Sequence, residues 1–182
     1  MKRPPAAKVL RALRLVIMDV DGVLTDGGLY YAESGDEGKR FDVRDGQGIV
    51  SLHAAGLSTA LVTKRSSSVV TRRARELGIG EVHQGVEDKR AVVEAILARH
   101  GCQPSRVCYI GDDLGDLAAM RAVGMPVAVA DAVDAVRRAA VWVTRRSGGR
   151  GAVREVCDLI VAAQGPGQLG SAGSVPLRTR TK

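Results

Sequence analysis

The sequence has few aromatic residues and no long apolar run. Phe, Tyr and Trp together make up 3% of its 182 residues, so a core must be built from Val, Leu, Ile and Ala within the 45% hydrophobic content. No stretch approaches the roughly 20 apolar residues that cross a bilayer, so we expect no membrane partner. No apolar segment lies between the basic N-terminus and Leu15, which argues against a secretory signal and makes the cytoplasm the expected location.

Cysteine is also scarce. The three cysteines, Cys102, Cys108 and Cys157, show neither a CxxC pair nor the spacing of a metal site. An odd number of cysteines without a pairing pattern favours a reducing compartment, in which each serves as a small buried hydrophobic residue. The sequence therefore predicts no disulfide framework.

Acidic residues are missing from both ends of the chain. The formal net charge is +7, and residues 1–14 and 164–182 carry five and three basic residues without an acidic one. These eight positive charges exceed the net charge by one, so the middle of the chain has a formal charge of −1. Because no aromatic stacking platform accompanies the basic ends, we expect no nucleic-acid partner. We predict a basic N-terminal extension over 1–13, one folded domain over 14–163 and a disordered, Gly/Ser/Pro-rich tail over 164–182.

Within the middle, short apolar runs alternate with helical patterns, which is typical of a parallel sheet covered on both faces. The fold class predicted is α/β, a Rossmann-like three-layer α/β/α sandwich with a mostly parallel sheet. Residues 28–43 predict a small inserted β-hairpin that is too short to be a cap domain. The predicted strands are Leu15–Val20, Leu57–Val62, Glu81–Gln84, Arg106–Ile110, Pro126–Ala130 and Ala140–Thr144, and the predicted helices are Ser66–Leu77, Asp88–His100, Asp113–Val123, Asp131–Ala139 and Gly151–Ala163.

Carboxylates follow two of these apolar runs. Asp19 and Asp21 come directly after Leu15–Met18, and Asp112 comes directly after Ile110-Gly111. Ionised carboxylates at the tip of a buried strand repel one another unless a cation or protons compensate, and hard divalent cations select oxygen ligands. If the two strands are neighbours, both loops can reach one cation. The alternative for Asp19 and Asp21 is an acidic turn that caps a helix, and for Asp116 a charge at a helix N-terminus or a role supporting the metal ligands.

Two further polar residues stand near predicted strand ends. Thr63 follows Leu57–Val62, and its hydroxyl could donate to a phosphoryl oxygen, although a Thr before a helix is commonly an N-cap. Lys89 opens the next predicted helix and could neutralise phosphoryl charge, although a lone Lys there is usually a solvated charge. Together with the two acidic clusters, these residues favour a phosphoryl-transfer site.

The four elements, in this order, resemble the haloacid dehalogenase superfamily. The DxDGxxT pattern spans Asp19–Thr25, Thr63 and Lys89 follow, and GDDxxD spans Gly111–Asp116. The likeness covers about residues 14–163, and the small hairpin in place of a cap resembles the capless branch, which closes its site by forming a homotetramer. Residues 41–48 and 148–157 are similar to segments of 3-deoxy-D-manno-octulosonate (KDO) 8-phosphate phosphatases, in which the C-terminal segment reaches a neighbouring subunit's site.

The resemblance implies a Mg²⁺-dependent phosphoric monoester hydrolase. Asp19 would be the nucleophile that forms an aspartyl-phosphate, and Asp21 the general acid and base. Mg²⁺ would be held by the Asp19 carboxylate, the Asp21 backbone carbonyl and Asp112. Thr63 and Lys89 would complete the clamp on the phosphoryl group.

The resemblance also implies the substrate, a sugar-acid phosphate, with KDO 8-phosphate hydrolysed to KDO and phosphate. An Arg can form a forked pair with the carboxylate of a 2-keto acid, although Arg73 could equally be a solvated helix-surface charge. Arg150 would enter from a partner subunit. The implied substrate-binding residues are Asp21, Asp42, Val43, Arg44, Asp45, Gly46, Arg65, Arg73, Lys89 and Arg150.

The sequence departs from the family pattern at three positions: Lys64 stands where Gly is frequent, Asp42 where Asn is common and Val50 where a further Arg is common. The changes at residues 42 and 50 remove one positive charge and add one negative charge near the expected sugar carboxylate, whereas Lys64 adds bulk and a positive charge. Three alternatives therefore stay open: a nonulosonate (sialic-type) 9-phosphate phosphatase, a broad sugar phosphatase, and an inactive tetramerisation domain.

Overall fold

The computed structural model describes residues 2–34 and 37–165. Within them, six parallel strands form one sheet in the order β5-β4-β1-β6-β7-β8, and β2 and β3 form a separate antiparallel hairpin. The strands are β1 Leu15–Met18, β2 Tyr30–Tyr31, β3 Glu37–Gly38, β4 Ser58–Val62, β5 Glu81–His83, β6 Val107–Gly111, β7 Met125–Ala128 and β8 Trp142–Val143. The helices are α1 Ala7–Ala12, α2 Val43–Ala54, α3 Ser68–Leu77, α4 Lys89–Arg99, α5 Leu117–Met120, α6 Asp134–Ala139 and α7 Ala152–Gln164, with 3₁₀ turns at Pro104–Arg106 and Leu114–Asp116.

The mostly parallel α/β sandwich predicted from the sequence is confirmed. All four residues of β1 and all five of β6 are buried, as expected of strands covered on both faces. Local signals define several helix ends: the Asp88 side chain accepts a hydrogen bond from the Ala91 amide at 3.1 Å at the start of α4. Gly78 ends α3 with a φ of +71°, which glycine adopts without strain.

β1 lies at the centre of the sheet, and this position assembles the site. Met18 pairs with Leu61 of β4 on one side and with Ile110 of β6 on the other. The carboxyl ends of three neighbouring strands therefore lie side by side, and residues 19, 63 and 112 follow these ends. Ligands of open parallel sheets bind at this edge.

A hairpin is present within the predicted residues 28–43, with Tyr30 opposite Gly38 and Tyr31 opposite Glu37. It is shorter than predicted, since its strands end at Gly38 and Val43 already begins α2. Its predicted turn includes residues 35 and 36, which lie outside the described residues. Most of the predicted C-terminal tail, residues 166–182, also lies outside them.

The predicted helix over residues 113–123 is shorter than expected. Its first turn is the 3₁₀ turn, because Asp113 and Asp116 bind each other's backbone amides in a capping box. The α-helical part is restricted to the four residues of α5.

Two helices have no counterpart in the sequence-based prediction. α1 packs against α7, and its Leu10 is buried together with the following Leu13. Both residues lie N-terminal of the predicted domain boundary at residue 14, a boundary that stays a prediction. α2 begins at Val43, also packs against α7, and buries Ile49 and Leu52.

Among the described residues, no helix combines the length and the apolar character needed to cross a membrane.

Candidate active site

The acidic residues at the ends of β1 and β6 converge. Carboxylate oxygens of Asp19, Asp112 and Asp116 all lie within 4.8 Å of one another. The backbone amide of Asp19 also donates to the Ile110 carbonyl at 3.0 Å, which extends the β1–β6 pairing to the first acid. The predicted meeting of two separate acidic motifs at one point is therefore present in the structure.

Lys89 lies among these carboxylates. Its Nζ is 3.0 Å from Oδ1 of Asp19 and 2.7 Å from Oδ1 of Asp116. Burial disfavours the Lys89 charge, but the two neighbouring carboxylates outweigh burial and raise the pKa of this lysine. Lys89 is therefore a fixed cation at the site and not the solvated surface charge that the sequence left open.

Asp116 supports the other two acids. Its Oδ1 accepts from Lys89 and from the Tyr109 hydroxyl, each at 2.7 Å. Its Oδ2 accepts from the backbone amides of Asp112 and Asp113 at 2.9 and 3.3 Å. Because both oxygens are engaged within the fold, Asp116 holds the Asp112 loop in place, in keeping with the supporting role considered above.

Asp19 and Asp112 are compensated less completely, although Nζ of Lys89 lies 3.0 Å from Oδ1 of Asp19. Oδ1 of Asp112 is buried and has no hydrogen-bond partner among the described residues. Burial, together with Asp116, raises the pKa of Asp19 to about 7. Burial, followed by Asp19 and Asp116, raises the pKa of Asp112 to about 8.

The donor set fits a hard divalent cation. When all three neighbouring carboxylates are ionised, the one ammonium, which pairs with two of them, leaves two negative charges, and a cation of charge +2 would balance them. The free oxygen of Asp112 provides a ligand position, since hard cations select carboxylate oxygens. The contribution of the Asp21 backbone carbonyl stays a prediction.

Thr63 directly follows β4, and Asp21 lies three residues after the end of β1. The Thr63 hydroxyl is 3.5 Å from Oδ2 of Asp21, the outer limit of a hydrogen bond. Oδ1 of Asp21 accepts a bond from Nζ of Lys39, which also lies 2.9 Å from Oε1 of Glu37. The sequence-based prediction missed Lys39, because a lysine in a Gly- and acid-rich hairpin resembles a solvated surface charge.

The predicted substrate-binding residues lie at several places. Asp42 caps α2, pairs with Arg44 at 2.6 Å and has its pKa lowered to about 2, chiefly by this side-chain hydrogen bond. Val43 is 80% exposed. Arg65 pairs with Glu37 of the hairpin at 2.5 Å.

Asp45 is 1% exposed, and its two oxygens accept from the amides of Gly151 and Arg154 at 3.1 and 2.7 Å. Its side chain therefore joins α2 to the start of α7. Gly46 faces Arg73 so closely that a Cβ on residue 46 would lie 2.3 Å from the guanidinium. Arg73 in turn lies over the ring of Phe41 at 5.9 Å.

Arg150 is 61% exposed and lies 3.7 Å from Asp26 of its own chain. The loop before it packs on the first acidic motif, because a Cβ on Gly148 would lie 1.7 Å from the Gly22 carbonyl oxygen. The expectation that Arg150 enters a partner's site stays a prediction.

Comparison with known proteins gives a consistent result. The profile of the haloacid dehalogenase-like hydrolase family matches residues 43–124. The chain is 49% identical over 152 residues to the KDO 8-phosphate phosphatase KdsC of Yersinia pestis, covering 84% of this chain and 81% of that protein. It is 46% identical over 153 residues to the KdsC protein of Escherichia coli K12, with the same coverage of 84% and 81%.

A solved structure shares the fold over most of its length. The KDO 8-phosphate phosphatase of Moraxella catarrhalis, in complex with magnesium, phosphate and KDO, superposes with a TM-score of 0.85 at 42% identity, covering 87% of this chain and 91% of that one. With such identity and coverage, the chain belongs to the haloacid dehalogenase-like hydrolases and, among them, to the family of KDO 8-phosphate phosphatases.

Proposed function

We propose that this protein is a Mg²⁺-dependent phosphatase that hydrolyses KDO 8-phosphate to KDO and phosphate. The observation that supports this most directly is the cluster of Asp19, Asp112 and Asp116 at the carboxyl end of the central strand, with Lys89 paired to Asp19 and Asp116. The cluster combines a nucleophile, the oxygens of a cation site and a fixed positive charge, which are the parts that phosphoryl transfer needs.

Asp19 attacks phosphorus through a carboxylate oxygen. The bond between phosphorus and the sugar oxygen breaks, an aspartyl-phosphate forms on Asp19, and Asp21 gives its proton to the departing sugar oxygen. A water molecule then attacks phosphorus while Asp21 takes a proton from that water, and the bond between phosphorus and the Asp19 oxygen breaks. Free phosphate leaves, and both aspartates return to their starting states.

Lys89 and Thr63 orient the phosphoryl group in both steps. Lys89 is 7% exposed, so its charge acts at short range with little screening by water. Thr63 is 1% exposed, and its hydroxyl can donate to a phosphoryl oxygen at the end of β4. The Asp19 carboxylate, the Asp21 carbonyl and Asp112 would hold Mg²⁺, which when bound neutralises charge that would otherwise repel the phosphate from Asp19.

KDO 8-phosphate as substrate is supported by the named relatives and by the KDO found in the Moraxella catarrhalis structure. For the sugar acid we propose Asp42–Gly46, Arg65 and Arg73 of one subunit together with Arg150 of a partner. Guanidinium groups suit the carboxylate of a 2-keto acid, because the two can form parallel hydrogen bonds.

We further propose a homotetramer located in the cytoplasm. Exposed apolar side chains on and beside the hairpin support assembly: Leu29, Tyr30, Tyr31 and Val43 are 46%, 50%, 65% and 80% exposed. The cytoplasmic location is supported by Cys102, Cys108 and Cys157, all of which are free thiols.

The test is phosphate release from a panel of 2-keto-3-deoxy sugar phosphates and common sugar phosphates, with and without EDTA. We expect KDO 8-phosphate to give the highest kcat/KM, EDTA to remove activity and added Mg²⁺ to restore it. Asp19→Asn should abolish turnover. A preference for a nonulosonate 9-phosphate would contradict the proposed substrate. If no compound released phosphate in a Mg²⁺-dependent manner, the proposed activity would be wrong.

A further inference from the structure

The hairpin carries a lysine whose side chain is covered and contacts the proposed acid–base residue. The Lys39 side chain is 0% exposed, although it follows a two-stranded hairpin at the surface. Its Nζ pairs with Oδ1 of Asp21 and lies 2.9 Å from Oε1 of Glu37. A lysine with a fully covered side chain must have its charge compensated, and these two carboxylates compensate it.

The two carboxylate oxygens of Asp21 have different partners. Oδ1 is held by Lys39, whereas Oδ2 is directed toward Thr63 at 3.5 Å. A general acid or base needs an oxygen within hydrogen-bond reach of the reacting atom, and a contact that fixes the other oxygen favours this orientation. With Oδ1 occupied by a cation, Oδ2 is the oxygen left to give and take the proton.

The lysine is itself fixed from the other side. Glu37 contacts Lys39 through Oε1 and Arg65 through Oε2, the latter at 2.5 Å. Arg65 lies two residues after Thr63, beyond the end of β4. The hairpin is therefore joined to the carboxyl edge of the sheet by a series of alternating charges, Asp21, Lys39, Glu37 and Arg65.

We propose that Lys39 is a positioning residue of the phosphatase reaction, which holds the Asp21 carboxyl group so that Oδ2 serves the departing sugar oxygen. This inference rests on the proposed function and adds to it a role for the hairpin within the subunit. Burial opposes the charge on Lys39, but hydrogen bonds to Asp21 and Glu37 outweigh burial and raise its pKa, so the lysine stays charged at neutral pH.

A leaving-group comparison tests this role. General acid catalysis matters for a sugar alkoxide, which leaves poorly, and little for p-nitrophenolate, which leaves without a proton. We expect Lys39→Met to slow first-turnover release of the sugar from KDO 8-phosphate by about 100-fold, within the range of general acid catalysis. Release of p-nitrophenol from p-nitrophenyl phosphate, followed by stopped flow, should fall by less than about 5-fold.

Three controls separate positioning from loss of structure. Lys39→Arg keeps the charge and should recover most of the rate on the sugar phosphate. Lys8→Met makes the same chemical change at an exposed position of α1 and should behave as wild type. If circular dichroism shows that Lys39→Met is unfolded, Lys39→Gln gives the same comparison. Equal loss on both phosphate esters would overturn the proposal.

Crystal structures of the wild type and of the neutral Lys39 variant test the positioning role without an activity measurement. In the wild type we expect Asp21 to contact Lys39, and in the folded neutral variant we expect its carboxylate to turn away from Thr63. An unchanged Asp21 in the variant would overturn the positioning role. If the wild type released no phosphate from any ester, the proposed function would fail, whereas this comparison would still show whether Lys39 holds Asp21.

Discussion

The backbone of Gly22 lies against the side chain of Asp112, so closely that a Cβ on residue 22 would lie 2.1 Å from Oδ2. Gly22 also has a φ of +86°, a conformation that other residues adopt only with strain. We therefore expect Gly22→Ala to displace Asp112 and to raise the Mg²⁺ concentration for half-maximal activity by about 10-fold or more. Calorimetric titration of the apoprotein with Mg²⁺ measures the same effect directly.

Gly56→Ala is the matched control for this substitution. Gly56 has a φ of +79°, but apart from Gly56 itself and its chain neighbours no described residue has an atom within 4 Å of the position its Cβ would take. The control should lose about 1 kcal/mol of stability through backbone strain and keep its metal dependence. Equal metal dependence in the two variants would show that the contact between Gly22 and Asp112 has no part in cation binding.

Asp116→Asn should weaken catalysis without abolishing it. An amide cannot provide acceptors for Lys89, Tyr109 and the two backbone amides at once, so the Asp112 loop and Lys89 lose their support. We expect kcat to fall by about 10- to 100-fold, the usual effect of removing a group that orients metal ligands. Asp113→Asn is the control, since Asp113 is exposed and Asn caps a helical turn equally well. If the two variants have the same kcat, Asp116 does not support the site.

The strands and their acids could be predicted from the sequence because both signals are local. Apolar runs such as Leu15–Met18 indicate buried parallel strands, and the carboxylates that follow them have no packing role at a strand tip. The pairing of β1 with β6 then brings Asp19 and Asp112 together, a consequence of parallel topology. The predicted hairpin followed from an equally local pattern of Tyr, Gly and acidic residues.

The helix α2 could not be predicted in this way, because Gly46 and Gly48 lower its helix propensity. The structure shows why glycines stand there. A Cβ on Gly48 would lie 3.0 Å from the Cβ of Cys157 and 3.2 Å from the Cα of Arg154, so close packing against α7 requires a residue without a side chain. Tertiary contacts overrule propensity at these positions, and a single sequence gives no sign of them. The burial of the Lys39 side chain could not be predicted either, because it also depends on tertiary contacts.

His53 should make the stability of the fold depend on pH. Burial lowers the pKa of His53 below its ordinary value of 6.5, and its Nε2 lies 2.6 Å from the Thr59 hydroxyl. Well above pH 6.5 the imidazole is neutral in both the folded and the unfolded chain. As the pH falls below this value, the unfolded chain binds a proton that the folded chain resists, so stability decreases toward the folded-state pKa.

The comparison uses urea unfolding of the wild type and of His53→Gln at pH 7.5 and 5.5. Glutamine does not titrate and can still bond to Thr59, so the variant should lose less stability on acidification. The other charged groups lining the same cavity, Glu81, His83, Arg99 and His100, are present in both proteins and cancel in the difference. An identical loss in both proteins would show that His53 does not contribute.

The exposed tyrosines of the hairpin should hold subunits together. Tyr30 and Tyr31 are 50% and 65% exposed, and side chains of this size in a small apolar patch are typical of an interface. We expect the double variant Tyr30→Ser, Tyr31→Ser to form smaller assemblies than the wild type in sedimentation velocity. Its kcat/KM for the sugar phosphate should fall as well, because the proposed contribution of a partner's Arg150 to the site would be lost.

The matched control is Val141→Ser. Val141 is an apolar residue beside the edge strand β8, and it is 46% exposed. This variant should keep the assembly and the activity of the wild type. Since the tyrosines are exposed within one subunit, their loss should change the stability of an isolated subunit by less than about 0.5 kcal/mol. If the double variant forms assemblies as large as those of the wild type, the hairpin is not part of the interface. A smaller assembly with full kcat/KM would show that each subunit completes its own site, which would exclude Arg150 of a partner from substrate binding.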